Sequence, residues 1–353
     1  MFPFSETLPT PLMPVAGKAV VKHVIEALRD NGIDEVYLVT NHLEELFETE
    51  FGERTDVNIV HQENLEGTAS AVKTCNFIED DFIVVNGDVI ASGQDLNRLI
   101  DKFRETGRAS MLATYENRPE KFGVLSIEND EVKSIEEKPE EPENPLINTG
   151  IYAFTSRIFD RIEDLEEDQK SITDAVQKMA EEDGAYFVIA EDYWIDIGSG
   201  EKLWEADRVK RNSSIDSTSI HETAEVSEEA FIEGEVVIGQ EAVVEPGACI
   251  KGRCYIGDGC RIKSGTVVKD STVMGQTQLD QCSVQDSLLF HGNILDAFTA
   301  VEDAVIAEDC DVKPGTVIRE SLIGAESFVE SNNTVLGTKF VPEARTDIGE
   351  ICK

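Results

Sequence analysis

The chain has 353 residues, with 71 Asp and Glu against 31 Lys and Arg, a formal net charge of −40 and 41% apolar residues. The length predicts two domains, and the apolar fraction suffices for ordinary cores. The charge argues against partners that are nucleic acids or anionic membranes, which need the opposite sign. The acids fall throughout the chain, between patterned apolar positions, rather than in one disordered tail. Such a solvated acidic surface is what an extreme halophile's cytoplasmic protein is expected to carry. No run approaches the roughly 18 apolar residues that span a bilayer. Met1–Pro14 lacks the basic and apolar regions of a signal peptide, so a cytoplasmic location is expected. Seven Cys in so long a chain predict no disulfide framework.

From Lys18 the pattern is helix, then strand. Val20, Val21, Val24, Ile25 and Leu28 share a helical face, closed by Gly32. Val36–Val39 reads as a buried strand, and Thr68 as the N-cap of a helix burying Ala71, Val72, Cys75 and Ile78. Phe82–Val85 reads as a short strand buried on both faces. It ends at Asn86-Gly87 and presents Asp88 at its carboxyl end, where open α/β sheets bind ligands. On that strand alone, Asp88 serves equally well as a hard-cation ligand or as a cap of the next segment. A helix over Leu96–Phe103, stopped by Gly107, and a strand at Met111–Ala113 complete the alternation. It predicts an α/β domain with a doubly wound, mostly parallel sheet. Gly123–Ile127 and Glu131–Ile135 then read as a hairpin, and two amphipathic helices lie near Ser156–Leu165 and Ser171–Glu182. Strands follow at Tyr186–Ile189 and Trp194–Ile197, and a last helix runs from about Glu201 to Arg211. The polar stretch Arg211–Ser219 separates the expected domains, 1–212 and 218–353.

Beyond it the period becomes six. Ile220, Val226, Ile232, Ile238, Val244, Ile250, Ile256, Ile262, Val268 and Met274 stand on one ladder. The ladder breaks over Gln276–Val301 and resumes at Ile306, Val312, Ile318, Ile323, Val329 and Val335. Repeats of this kind predict a parallel β-helix, about 18 residues per three-sided coil. Cys254 and Cys260 occupy a recurrent small-residue slot, which favours packing over a metal site.

Taken together, the pieces resemble a sugar-1-phosphate nucleotidylyltransferase, the family that joins an NTP to a sugar-1-phosphate and releases pyrophosphate. Leu12–Lys18 with Gly32–Val36 resembles the family's first βα unit. Gln62 with Gly67-Thr68-Ala69 resembles its base-reading segment, which implies nucleotide binding by Gln62, Gly67 and Thr68. Glu137-Lys138-Pro139 and Asn148-Thr149-Gly150 resemble its sugar-phosphate segments, which implies Glu137, Lys138, Asn148 and Gly150. Asn86-Gly87-Asp88 and Trp194–Gly198 match the segments that carry its metal carboxylates, so Asp88 and Asp196 would share a Mg²⁺ ion. Without the resemblance, Lys138 also reads as a solvated lysine in an acidic loop, and Trp194 as core packing.

The chain departs from the family's pattern at several points. The Gly-rich phosphate loop that opens the family's signature is absent, Phe2 stands at a commonly basic position, and Thr10 replaces a phosphate-binding lysine. The second domain resembles the left-handed β-helix of bifunctional nucleotidylyltransferase/acetyltransferase enzymes. There Ala297 and Ala300 stand where a histidine base and a tyrosine are expected, with His291 as a nearby alternative base. Three readings therefore stand: an active nucleotidylyltransferase whose true N-terminus lies upstream of Met1, a silent paralogue that assembles with an active subunit, and a β-helix acyltransferase. Homo- or hetero-oligomers through the β-helix are expected in each.

Overall fold

The computed structural model describes residues 1–52, 54–63, 66–166 and 169–353. They fall into two compact units, Val21–Asp196 and Met1–Val20 together with Ile197–Lys353. After two 3-10 turns, Phe4–Glu6 and Thr10–Leu12, the chain forms a small hairpin, β1 (Pro14–Val15) and β2 (Lys18–Ala19).

Helix α1 (Val20–Asp30) ends at Gly32, whose φ of +80° is the left-handed conformation that glycine adopts without penalty. A parallel pair follows, β3 (Val36–Thr40) and β4 (Val57–His61), with α2 (Glu44–Phe51) between its strands. Helix α3 (Thr68–Lys73) starts on Thr68 itself, with Gly67 at the cap position, where the sequence suggested Thr68. Then come β5 (Phe82–Val85), β6 (Val89–Ala91), α4 (Gly93–Thr106) and β7 (Ser110–Tyr115). Ser92 caps α4 by accepting from Asp95 N–H at 3.2 Å, and Gly107 ends it. Strands β8 (Gly123–Glu128) and β9 (Glu131–Glu137) form the expected hairpin, turning on Asn129 and Asp130, both at positive φ. Next are β10 (Leu146–Phe154), α5 (Arg157–Glu163), α6 (Ile172–Glu182), β11 (Tyr186–Ile189) and β12 (Trp194–Asp196).

The main sheet has the order β9–β8–β10–β7–β11, with β5 also paired to β10. Parallel pairing holds at β3–β4 and β7–β11. The nine-residue, wholly buried β10 instead runs antiparallel to β5, β7 and β8. Strand β5 was expected to be buried on both faces, yet all four of its residues are half-buried. Its only paired neighbour among the described strands is β10, so it is not enclosed as an inner parallel strand is.

The second unit contains a left-handed parallel β-helix of hexapeptide repeats, three sheets of eight, seven and eight strands joined parallel in every pairing. Early coils are 18 residues long, as from Ile238 to Ile256. The expected break over Gln276–Val301 is not present. Val273, rather than Met274, pairs with Ile256, and Val284 pairs with Val268. The inward row therefore continues through Val273, Leu279, Val284, Leu289, Leu295 and Val301, all at 0–1% exposure. What changes is the corner. A turn one residue shorter moves the register of a strict six-residue count while the axis stays filled.

Cys254, Cys260, Cys282 and Cys310 lie inside this core as free thiols. Burial pushes their pKa values up, to about 11 for Cys254 and Cys282 and about 12 for Cys260 and Cys310. They are packing residues in the protonated form. On the sheet that ends at Lys339–Phe340, the outward Leu288, Val305 and Leu322 are also buried. Gly200, which opens α7 (Gly200–Ser214), packs closely against Leu322 and Phe4. Phe4 packs on Phe290 at 5.7 Å, Trp204 Nε1 donates to Asp286 O at 2.6 Å, and Lys339 pairs with Glu201 at 2.7 Å. The sequence boundary at 211–219 thus falls inside this unit, where α7 passes into the first coil.

Candidate active site

One cleft in the Val21–Asp196 unit is lined by Thr68, Asp88, Glu137, Lys138, Asn148, Gly150 and Asp196, most of the residues singled out from sequence. Three structural devices assemble it. The first is the antiparallel pairing of β6 with β12, which sets Asp196 opposite Val89 and so next to Asp88. Two carboxylates far apart in the sequence thereby face one space. Asp88 has no ion pair among the described residues, and burial raises its carboxyl above the usual range. Half-buried carboxylate oxygens of this kind suit a hard divalent cation. Mg²⁺ is commonly held by one or two carboxylates, with waters and substrate phosphates completing its shell. No cluster of three or more His, Cys, Asp or Glu exists among the described residues to compete for it.

The second device is an irregularity in β10. Its register against β7 shifts between Asn148 and Tyr152, as at a bulge. Gly150 there has φ +78°, and Asn148 Oδ1 accepts from Gly150 N–H at 3.1 Å. The Asn148 amide also donates to the Tyr152 hydroxyl. Burial raises the Tyr152 pKa far above its usual value, so the phenol stays protonated. Thr149 is held by its hydroxyl on Leu112 O at 2.7 Å, and Thr149 O accepts from Trp194 Nε1 at 3.0 Å. Trp194 is thus both half-buried packing and part of the cleft wall.

A Cβ on Gly150 would stand 2.4 Å from Asn86 Nδ2. Gly150→Ala is therefore expected to strain the backbone by about 1–2 kcal/mol and to push Asn86 across the cleft. A loss of sugar-phosphate affinity with the fold retained, measured by calorimetry and circular dichroism, checks this.

The third device is the open end of the β8–β9 hairpin, where Gly123 pairs with Glu137. Lys138 N–H donates to Phe122 O at 2.9 Å, and Phe122 packs edge-on against Trp194 at 5.7 Å. The Glu137 carboxylate accepts from the buried Thr173 hydroxyl at 3.2 Å and lies 3.7 Å from the Lys138 ammonium. Thr68 Oγ1 accepts from Ile172 N–H at 2.8 Å, which fastens the start of α3 to the start of α6.

Gln62 and Gly67 do not line this cleft. Gln62 is buried at the end of β4, its N–H bonded to Thr40 O at 2.8 Å. Gly67 has a packing reason for being glycine: a Cβ would meet Lys170 O at 2.3 Å, at φ +104°. Sequence reasoning missed Asn86 as a wall, and also Lys121, Phe122, Tyr152, Ser171 and Thr173. Lys121 and Phe122 directly precede the hairpin, and its pairing with Lys138's neighbour was the available signal. Ser171 caps α6 and Thr173 lies in its first turn; the Ser171–Asp174 capping box marks the helix start locally but not its approach to the cleft.

The nucleotidyl transferase family model matches residues 1–213, well over half of the chain. The chain belongs to the nucleotidyl transferase family. Models of the GMPPB C-terminal domain and of the GlmU-like C-terminal hexapeptide region match residues 214–281 and 261–346. A bifunctional protein GlmU from Methanocaldococcus jannaschii is 31% identical over 211 residues, 58% of this chain and 50% of that protein. The low-salt glycan biosynthesis nucleotidyltransferase Agl11 from Haloferax volcanii is 31% identical over 221 residues, 59% of this chain and 61% of that protein. The chain matches about half the length of the first of these relatives. Among solved structures, a putative glucose-1-phosphate thymidylyltransferase from Bacillus anthracis, in complex with a sucrose, aligns with a TM-score of 0.55 at 26% identity. That alignment covers 60% of this chain and 90% of the other. On the β-helix, Ala300 begins a strand and Ala297 lies in the corner before it, and neither side chain can accept a proton.

Proposed function

We propose that this chain transfers a nucleotidyl group from a nucleoside triphosphate to a sugar-1-phosphate, releasing pyrophosphate. The observation that carries the reading is the β6–β12 pairing, which brings Asp88 and Asp196 into one cleft with Glu137, Lys138, Asn148 and Gly150. In the reaction, an oxygen of the sugar phosphate forms a bond to the α-phosphorus and the α–β bridging bond breaks. Such a displacement needs alignment and charge neutralisation more than covalent help. Asp88 and Asp196 would hold Mg²⁺, which would supply positive charge to offset that of the phosphates. Lys138 meets the sugar's phosphate as a point charge. Glu137, oriented by Thr173, and Asn148 accept from and donate to the sugar's hydroxyls, and the buried Tyr152 phenol keeps Asn148 oriented. Gln62, Gly67 and Thr68 would receive the nucleotide. The distributed acidic surface supports a cytoplasmic setting of high salt, and the β-helix an oligomeric one.

A second reading, a silent assembly subunit, is favoured by one residue. Thr10 is neutral where the family places a phosphate-binding lysine, and losing one preorganised contact of that kind costs about 10²–10³ in rate.

Pyrophosphate release in molar KCl with Mg²⁺ decides between them, using UTP, dTTP and GTP against glucose-1-phosphate and N-acetylglucosamine-1-phosphate. The expected result is turnover by the wild type and a rate raised by about 10² in Thr10→Lys. Folded protein with no turnover in either form would replace the enzyme reading with the assembly reading.

A further inference from the structure

We infer that Lys121 is a second ligand of the sugar-phosphate group, forming with Lys138 a two-lysine clamp at the open end of the β8–β9 hairpin. The inference rests on the transferase reading above and assigns a residue that neither the sequence motifs nor the comparisons single out.

The charged side chains that line the cleft are Asp88, Glu137 and Asp196 against Lys121 and Lys138. The two lysines are brought together by register. Gly123 pairs with Glu137, and one step outward Phe122 O accepts from Lys138 N–H at 2.9 Å. Lys121 is the next residue out, on a single 3-10 turn (Pro119–Lys121) braced by Phe122 N–H on Pro119 O at 3.0 Å. Phe122 is itself packed on Trp194, so the backbone that carries Lys121 is anchored while the ammonium is exposed.

The cations differ in what they already hold. Lys138 lies 3.7 Å from the Glu137 carboxylate, which answers part of its charge. Lys121 has no ion-pair partner among the described residues, in a chain where acids outnumber bases by more than two to one. A phosphomonoester carries about −1.5 to −2 at neutral pH. A lysine already beside a carboxylate does not balance that charge alone, and two ammonium groups do.

The test is isothermal titration of the full chain with glucose-1-phosphate, and separately with inorganic phosphate, in the lowest KCl that keeps the protein folded. Lys121→Met is expected to weaken glucose-1-phosphate binding at least tenfold and Lys121→Arg less than threefold, with UTP affinity changed less than threefold in both. Because Lys121 is exposed, neither variant endangers the fold. Wild-type glucose-1-phosphate affinity in Lys121→Met, alongside loss in Lys138→Met, overturns the clamp and leaves the transferase reading intact. A loss of UTP affinity equal to the loss of sugar-phosphate affinity overturns it as well, since the lysine would then serve the triphosphate. A wild type that binds neither substrate removes both readings.

Discussion

Asp88→Asn and Asp196→Asn are each expected to lower Mg²⁺-dependent pyrophosphate release by roughly three orders of magnitude, with the fold unchanged. An Asn side chain keeps the shape and one oxygen but removes the charge that a hard cation requires. Several kcal/mol of charge stabilisation at the reacting phosphates go with it, and each 1.36 kcal/mol is about tenfold in rate. The two substitutions should also fail alike. The β6–β12 pairing makes the carboxylates neighbours, so on the proposed reading either loss would leave one ligand for the same ion. The double variant should therefore be little worse than either single one, because residues acting as a unit are strongly non-additive. Raising Mg²⁺ should partly restore the single variants and not the double. Activity within tenfold of wild type in Asp88→Asn would show that this carboxylate merely caps β6, the alternative that the sequence left open. Burial bears on the same choice. It raises the Asp88 carboxyl with no cationic side chain to oppose it among the described residues, a cost that a cap exposed to water would not incur.

How far this site could be read in advance follows from how each part is encoded. Asp88 follows a short apolar strand and a turn dipeptide, where local composition suggests a cation ligand and a cap equally, whereas Asp196 was legible only through resemblance. The Glu137–Lys138 and Asn148–Gly150 segments were legible through resemblance, and the structure brings both to the cleft. Gln62 and Gly67, proposed above for the nucleotide, lie outside the lining of that cleft. The glycine that suggested close approach of a base is required by the Lys170 carbonyl, a contact set by the α5–α6 connection far along the chain. The β-helix was legible because its core repeats in sequence. Its apparent break was an effect of counting in sixes, since a shorter corner preserves the inward row while changing the arithmetic. Helix α2 was not foreseen: its acid-rich sequence buries only Phe47 and Phe51, too few for a periodic signal. The antiparallel course of β10 was equally hidden, because a strand buried along its whole length reads the same in either direction.

Asp207→Ala is expected to destabilise the β-helix unit by about 3–5 kcal/mol, the range for breaking a buried ion pair by removing one partner. Asp207 and Arg211 lie one turn apart on α7 at 0% and 1% exposure, with Asp207 Oδ2 accepting from Arg211 Nε at 3.3 Å. Asp207 Oδ1 accepts from Ala16 N–H at 2.8 Å, in the turn between β1 and β2. Arg211 Nη1 donates to Arg253 O at 2.9 Å on the β-helix. The pair therefore pins the N-terminal hairpin and the first coils to one helix. Burial raises the Asp207 carboxyl, and the guanidinium and the Ala16 N–H oppose that rise. Without Asp207, an always-charged guanidinium stays buried unpaired and the Ala16 N–H loses its acceptor. The orphaned N–H alone costs about 1–3 kcal/mol. Asp207→Ala/Arg211→Met separates the causes, because it removes the stranded charge while leaving Ala16 N–H unsatisfied. Followed by denaturant unfolding in molar KCl, the double variant should recover at least half of the loss. Equal losses in single and double would assign the cost to the hairpin contact rather than to the buried charge. Losses below 1 kcal/mol in both would mean that water reaches the pair, and that the packing of Phe4 and Trp204, not this ion pair, fastens the N-terminal segment and α7 to the coils.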